Sequence, residues 1–277
     1  MSFIAIIGGG PLGGAIAHTI AVRDRVREVR LIDEAEQIAR GKALDIMQSA
    51  PVGGFSTRVT ASGAIGAAAG ARAIILADRA DGKGEHNGEA GLALLGHLGA
   101  FEAAAPVVFA GASQRELIAR TFAELHWPSS RLIGSAPFAL ESALRAIAGL
   151  TIDASGVEVS LRIVGIPPRR AVVAWEGASV FAQPLTAHVA PHEIAALTAR
   201  IPGLWPPGPY ALGAAASRIV EAVVNGSRRR FSCFVSIGRA QVAAMPVEIG
   251  EDGVQRVIEP SLTRQERTLL ENALEKG

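Results

Sequence analysis

The sequence predicts an α/β fold in which a doubly wound, mostly parallel sheet is followed by a mixed α+β unit. Three observations predict it. The chain opens with an apolar run that feeds directly into a glycine-rich turn (Phe3 to Gly13). Apolar β-like runs then alternate with helical patterns, the rhythm of right-handed β-α-β crossovers. In the second half the strands and helices lose that strict alternation. A chain of 277 residues is long for one compact core, so two domains are expected, at 1–135 and 136–277.

In order, the expected strands of the first half are 2–7, 28–32, 57–61, 72–77, 106–110 and 131–134, with helices at 11–23, 35–49, 88–103 and 114–126. Segment 78–90 (DRADGKGEHNGEA) is polar and glycine-rich and leaves the carboxyl end of a strand. Ligands bind at that edge of such sheets, so the segment reads either as a lid or as an ordinary surface loop. The second half is expected to contain a helix at 138–149, β-like runs at 157–165, 171–175 and 179–183, and a helix at 190–199. A Pro-rich loop (Pro202 to Pro209), a long amphipathic helix at 210–225 and strands near 231–237, 242–248 and 253–258 follow. The last helix has Ser261 or Thr263 as its N-cap, and Glu266 stands three residues after Thr263 in a capping-box pattern.

The opening turn, Gly8-x-Gly10-x-x-Gly13, has a mechanical reading. Gly8 permits a tight strand-to-helix turn, Gly10 lets the backbone approach a pyrophosphate, and Gly13 packs the helix on the strand. The helix start offers free N–H groups and a positive dipole end to phosphates. Asp33, ending the second strand 20 residues after Gly13, is placed to accept hydrogen bonds from an adenosine ribose. The candidate cofactor-binding residues are thus Gly8, Gly10, Pro11, Leu12, Gly13 and Asp33. Glu34 follows and no arginine does, so NAD is favoured over NADP, whose extra phosphate a carboxylate repels. Pro11 suits a first helical turn but removes one N–H that a phosphate could use.

Composition excludes other classes. Lys+Arg 27 against Asp+Glu 26 leaves no bulk electrostatic drive toward nucleic acid or an acidic membrane. Arg228-Arg229-Arg230 reads as a solvated helix-to-strand turn. Hydrophobic residues at 49% suffice for a buried core, yet no apolar stretch approaches the ~20 residues of a membrane span. The single cysteine, Cys233, reads as a buried small hydrophobe. With no intrachain disulfide possible and no signal peptide ahead of the first strand, a reducing cytoplasm is expected.

Several motifs together resemble the lactate/malate dehydrogenase family over nearly the whole chain. Besides the glycine turn and Asp33, Gly41-Lys-Ala-Leu-Asp45 with Ala50-Pro51 resembles that family's GKALDL helix. Arg131-Leu-Ile-Gly134 resembles its RVIG segment, and Ala214 to Cys233 resembles its long helix and the strand ending in PCS. Gly253 to Leu262 resembles its closing GVEKIIEL stretch. The resemblance implies a Rossmann-type nucleotide domain, NAD as cofactor and a homodimer or homotetramer. Helix 35–49, with Ala35, Ile38, Ala39, Ala43 and Ile46, would lie in a two-fold interface.

The departures from the family fall on its chemistry. Its general acid/base is a histidine in a GGHGD loop, oriented by an aspartate in an LDSAR segment, because a developing alkoxide needs a proton. The corresponding loop here is Gly165-Ile-Pro-Pro-Arg-Arg170, which puts Pro167 at the histidine position. In Leu140-Glu-Ser-Ala-Leu144, Glu141 can replace the aspartate, while Leu144 stands at the arginine that grips the substrate carboxylate as a planar fork. Arg145 is turned to another helix face. The mobile arginine loop becomes Ala80 to Asn87, with Lys83 its only cation and Asp81 and Asn87 nearest the arginine positions. The TNP segment has become Ala110-Gly-Ala112.

Of the histidines, His18, His97 and His126 lie on helical patterns, and His188 and His192 flank a helix start far from the loop in sequence. Only His86, on segment 78–90, can reach the nicotinamide region. Arg169 and Arg170 either hold an anion by bidentate hydrogen bonds or face solvent after a turn. The catalytic candidates are therefore His86, Glu141, Arg169 and Arg170, and no metal site is expected. An NAD-dependent glycosidase would need metal-ligating Cys and His in the active-site loops, whereas Cys233 lies in a C-terminal strand. The favoured reading is an NAD(H)-binding lactate/malate dehydrogenase-like oxidoreductase without ordinary malate or lactate dehydrogenase activity. The alternatives are an active dehydrogenase on an unusual, anionic substrate and a non-catalytic NAD-binding sensor or assembly protein. The small-molecule ligand stays unassigned.

Overall fold

The computed structural model describes residues 3–238 and 241–275, so the expected start of the first strand at 2 lies outside the described residues. Six parallel strands form the first half: β1 (Phe3–Ile7), β2 (Glu28–Ile32), β3 (Arg58–Ser62), β4 (Ala73–Leu76), β5 (Val107–Phe109) and β6 (Leu132–Gly134). They lie in the order β3-β2-β1-β4-β5-β6. Helices α1 (Pro11–Arg23), α2 (Glu36–Gly53), α3 (Gly88–Phe101) and α4 (Arg115–Glu124) make the crossovers. Covered on both faces, β1, β4, β5 and β6 are buried at every residue, which is why they read as unbroken apolar runs. The strand order reverses between β1 and β4, and a crevice opens beyond the carboxyl ends of strands at such a point.

The sheet does not stop at β6. Strand β12 (Arg229–Ser236) runs antiparallel to β6, in register at Phe234 and Gly134, and continues through β13 (Val242–Gly250), β8 (Ile163–Ile166) and β9 (Arg170–Val173), with β14 (Gly253–Val257) also on β13. At Gly134 a Cβ would come within 2.7 Å of the Phe234 Cβ and 2.8 Å of Ile118 Cδ1, so this junction needs glycine. A three-stranded sheet of β7 (Val159–Ser160), β10 (Ser179–Val180) and β11 (Gln183–Pro184) stands apart. Helices α5 (Ala136–Thr151), α6 (Pro191–Ala199), α7 (Pro209–Asn225) and α8 (Arg264–Glu275) complete the fold.

Three local outcomes differ from the sequence expectation or sharpen it. The run 157–165 is not one strand: β7 and β8 belong to different sheets, and the chain changes sheet at Leu161-Arg162, where Arg162 turns inward to pair with Glu141. Helix α2 runs past Pro51 to Gly53, beyond the expected end at 49. The proline forfeits one backbone hydrogen bond, and Gly54, at φ +70°, closes the helix with its N–H on Ala50 O at 2.8 Å. The capping box ahead of α8 forms on Thr263: Glu266 N donates to Thr263 Oγ1 (3.2 Å), and Thr263 N donates to Glu266 Oε2 (2.7 Å).

Two main apolar clusters fill the molecule. The larger one joins the six-stranded sheet (Ile4, Ile6, Leu31, Ile74, Leu76, Phe109) to α7 and β12 (Ile219, Val223, Phe234). The smaller one gathers Leu140, Leu144 and Ala148 of α5 with Val159, Leu161 and Ile163.

Candidate functional site

The reversal point places Gly8 and Asp78 side by side, because β1 and β4 are neighbours in parallel register from Ile4 and Ala73 to Ile7 and Leu76. Gly8 sits at φ +107°, a conformation that L side chains rarely adopt. A Cβ on Gly10 would collide with the Asp78 carboxylate, and one on Gly13 would collide with the Gly8 carbonyl, so both close approaches also need glycine. From there α1 begins at Pro11.

Every backbone donor of this turn has a partner. Gly8 N donates to Ile32 O (2.8 Å), Gly9 N to Asp33 Oδ2 (2.8 Å) and Gly10 N to Asp78 O (2.9 Å). Pro11 has no N–H. Leu12 N donates to Asp78 Oδ2 (3.1 Å), Gly13 N to Asp78 Oδ1 (2.9 Å), and Gly14 N to Gly10 O (2.9 Å). The Asp78 carboxylate therefore caps α1 from outside its own segment. Lys42, the lysine of the GKALD motif, places Nζ 2.8 Å from Gly10 O and lies along Gly14.

Asp33 is 8% exposed, and its carboxylate is largely committed. Oδ2 accepts from Gly9 N (2.8 Å) and Ala80 N (2.9 Å), while Oδ1 accepts from Ala35 N (2.9 Å). Each carboxylate oxygen offers two lone pairs, so Oδ1 retains one for a hydroxyl. Beside it opens a cavity of about 290 Å³ lined by Asp33, Glu34, Ile65, Arg79, His86 and Leu94. Here Arg79 Nε and His86 Nε2 are buried and lack a hydrogen-bond partner among the described residues. Burial, then the nearby Arg79 cation, hold the His86 imidazole below its ordinary pKa, so it is neutral at pH 7. His86 thus lies at the Asp33 end of the crevice.

Segment 78–87 is folded down on the sheet edge. Asp78 and Glu85 form a β-bridge, Arg79 N donates to Gly84 O (2.9 Å), and Lys83 N to Asp81 Oδ1 (3.0 Å). Glu85 reaches across to the turn after β5, where its carboxylate accepts from Ala112 N (2.9 Å), Ser113 N (2.8 Å) and the Ser113 hydroxyl. Gln114 Nε2 donates to His86 O (3.0 Å).

The second group of candidates lies elsewhere. Glu141 on α5 is fully buried, with Arg162 Nη1 at 3.0 Å from Oε1 and Ser232 Oγ donating to Oε2 at 2.6 Å. Burial pushes its carboxyl above the ordinary glutamate range, against Arg162 and Ser232, which pull it down. The neighbouring Cys233 thiol is pushed up by burial and then by Glu141. Leu144 is fully buried in the smaller apolar cluster. Arg145 is taken up by Val159 O (2.6 Å) and Val157 O (3.3 Å). Pro167 is buried in the turn between β8 and β9. Arg169 is exposed, whereas Arg170 Nη1 donates to Ala273 O of α8 (3.2 Å) and lies near Arg115.

Gly8, Gly10, Leu12 and Gly13 form one turn bonded to Asp33 and Asp78, and Asp33 shares a cavity with His86, while Glu141 pairs away from Arg169 and Arg170. Sequence reasoning missed Asp78, Arg79, Glu85 and Arg162. Asp78 carried a signal: it directly follows the strand that must neighbour the glycine turn in this strand order.

No protein-family model matches the chain. It is 27% identical over 304 residues to a malate dehydrogenase of Chlorobium phaeobacteroides, covering 98% of this chain and 94% of that protein. It is 24% identical over 288 residues to one of Thermomicrobium roseum, covering 96% of this chain and 93% of that protein. Its fold matches a lactate dehydrogenase of Cryptosporidium parvum, solved with lactic acid and β-nicotinamide adenine dinucleotide, at TM-score 0.87 and 20% identity. That match covers 99% of this chain and 95% of that one. In sequence and in fold the chain is similar to malate and lactate dehydrogenases. Its own fold combines a doubly wound parallel half, β3-β2-β1-β4-β5-β6, with a mixed α+β second half.

Proposed function

We propose that this chain is a member of the lactate/malate dehydrogenase family that binds NAD(H) through residues 1–135 and does not reduce ordinary 2-oxo acids, its second half (136–277) being of the substrate-domain type. The observation that carries the first part is the glycine turn at the β1/β4 reversal, bonded through Gly9 N to Asp33, which lines the adjoining cavity. Asp33 would hold one ribose hydroxyl through the free lone pair on Oδ1, and the adjoining cavity would take the adenosine end. Nicotinamide, when bound, supplies or accepts a hydride. The second part is supported by what stands at the positions where the family carries its histidine and arginine: a buried proline and a leucine inside an apolar cluster. Neither can deliver a proton or hold a carboxylate.

A fluorescence and thermal-shift titration tests the cofactor reading. NADH is expected to bind more tightly than NADPH, whose 2′-phosphate would meet Asp33 and Glu34. Asp33→Ala is expected to weaken NADH by about 1–3 kcal/mol, through the lost ribose bond and the loosened backbone it holds. Equal affinity for the two cofactors, or an unchanged Asp33→Ala, refutes this assignment.

Assembly as a homodimer or homotetramer belongs to the same reading. On the helix expected at the two-fold axis, Ala39, Ala43 and Ile46 are buried within the subunit's own core, while Ile38 at 50%, with Leu44 and Val52, stays exposed for a partner. Sedimentation at micromolar concentration should show dimer or larger, and a purely monomeric profile rejects it. No helix among the described residues is long and apolar enough to cross a membrane. A lone, buried, unpaired cysteine accords with a reducing cytoplasm.

A further inference from the structure

We infer that segment 78–87 is a built-in competitor for the cofactor, with Asp78 standing in for its phosphates. The inference rests on the NAD(H) reading above and addresses what that reading leaves unresolved: the nucleoside end of the crevice fits, but the phosphate end is already taken.

A pyrophosphate at a helix N-terminus is held by backbone N–H groups and the positive end of the helix dipole. In this chain those groups are spent. Leu12 N and Gly13 N donate to the two oxygens of Asp78, Gly10 N donates to its carbonyl, and Pro11 has nothing to give. The space that glycine at position 10 leaves above the turn is filled by the same carboxylate. A charged acceptor bonded to helix N-terminal amides satisfies the dipole as a phosphate would. Asp78 therefore occupies the anion cradle chemically as well as sterically.

The other end of the segment repeats the arrangement. Glu85 accepts from Ala112 N, Ser113 N and the Ser113 hydroxyl at the carboxyl end of β5, and fills the space above Gly111. Two carboxylates thus clip one loop over the carboxyl edge of β4 and β5, and the β-bridge from Asp78 to Glu85 holds the clips together. Ala80 N, bonded to Asp33 Oδ2, ties the loop to the ribose-binding acid.

A phosphate and the Asp78 carboxylate cannot share Leu12 N and Gly13 N, and like charges at that distance repel. Dinucleotide binding must therefore lift Asp78 out. The apparent affinity is then the intrinsic one reduced by the fraction of molecules with the loop released. Adenosine carries no phosphate and escapes the competition.

The test compares NADH, ADP-ribose and adenosine on the full chain, as wild type, Asp78→Ala and Asp78→Asn, with folding checked by circular dichroism. Asp78→Ala should tighten NADH and ADP-ribose by about tenfold or more, equivalent to ~1.4 kcal/mol, and change adenosine by less than about threefold. Asp78→Asn keeps the shape and one acceptor oxygen, so its gain should be smaller but in the same direction. NADH that binds wild type and Asp78→Ala equally, or the variant more weakly, overturns the competitor while leaving the cofactor reading intact. An equal gain for adenosine shows general loosening of the loop and also overturns it. If none of the three proteins binds NADH, both readings fall.

Discussion

Purified protein given NADH with oxaloacetate or pyruvate is expected to consume NADH no faster than the protein-free solution. A ketone accepts hydride only if its oxygen receives a proton, and a positioned general acid contributes about 10²–10⁴-fold to that step. Pro167 has no ionisable group, and it is buried in the turn between β8 and β9. The carboxylate grip is missing as well: Leu144 is fully buried, Arg145 is bonded to Val159 O, and Arg170 is bonded to α8. Glu141 is not a free base, since it is closed off by Arg162 and Ser232. Turnover of either oxo acid on the order of 10 per second, an ordinary enzyme's rate, would show that Pro167 and Leu144 do not occupy the family's catalytic positions. Pro167→His with Leu144→Arg is expected to yield at most a weak gain. Arginine at 144 would carry an unpaired charge into the cluster of Leu140, Ala148 and Ile163, where it destabilises the fold more than it serves a substrate.

Arg162→Ala is expected to lower stability by about 2–4 kcal/mol, read from urea denaturation midpoints. Breaking a buried pair strands the remaining charge at about 3–5 kcal/mol, and the solvent that reaches part of Arg162 trims that figure. The remaining charge is Glu141, with Ser232 as its surviving partner. The pH dependence has a definite sign. The folded-state pKa of Glu141 is raised, so the folded chain holds this proton more tightly than the unfolded chain does. The group's contribution is present in full below the ordinary glutamate pKa and is lost as pH rises through the raised value. Removing Arg162 takes away the strongest influence lowering that pKa, so the loss should extend to higher pH in the variant. Glu141→Leu in the Arg162→Ala background should recover most of the deficit. A single variant within about 1 kcal/mol of wild type would mean that the pair carries no net stability.

Much of the scaffold was legible because its causes are local. Strands β1, β4, β5 and β6 are apolar runs since both faces are covered, Gly8 must be glycine at its φ, and Thr263 with Glu266 forms its capping box over three residues. What stayed hidden depends on distant partners. Nothing within 78–90 tells whether Asp78 faces solvent or α1, because its partners Leu12 and Gly13 are more than sixty residues away. The inward turn of Arg162 is equally invisible without Glu141 opposite it, and so is the change of sheet it accompanies. His86 is expected from sequence to reach the nicotinamide region, yet it lines the cavity beside Asp33, next to the bridge from Asp78 to Glu85.

The junction of β6 with β12 bears on how the molecule comes apart. The proposed division near residue 135 falls one residue beyond Gly134, which faces Phe234 across that junction. A chain cut there would bare the backbone edges of two central strands, which are open templates for association with other chains. The larger apolar cluster would be split as well, since Ile219, Val223 and Phe234 lie in it beside Ile74 and Phe109. With sheet and core shared across that point, the two halves are expected to melt in one transition.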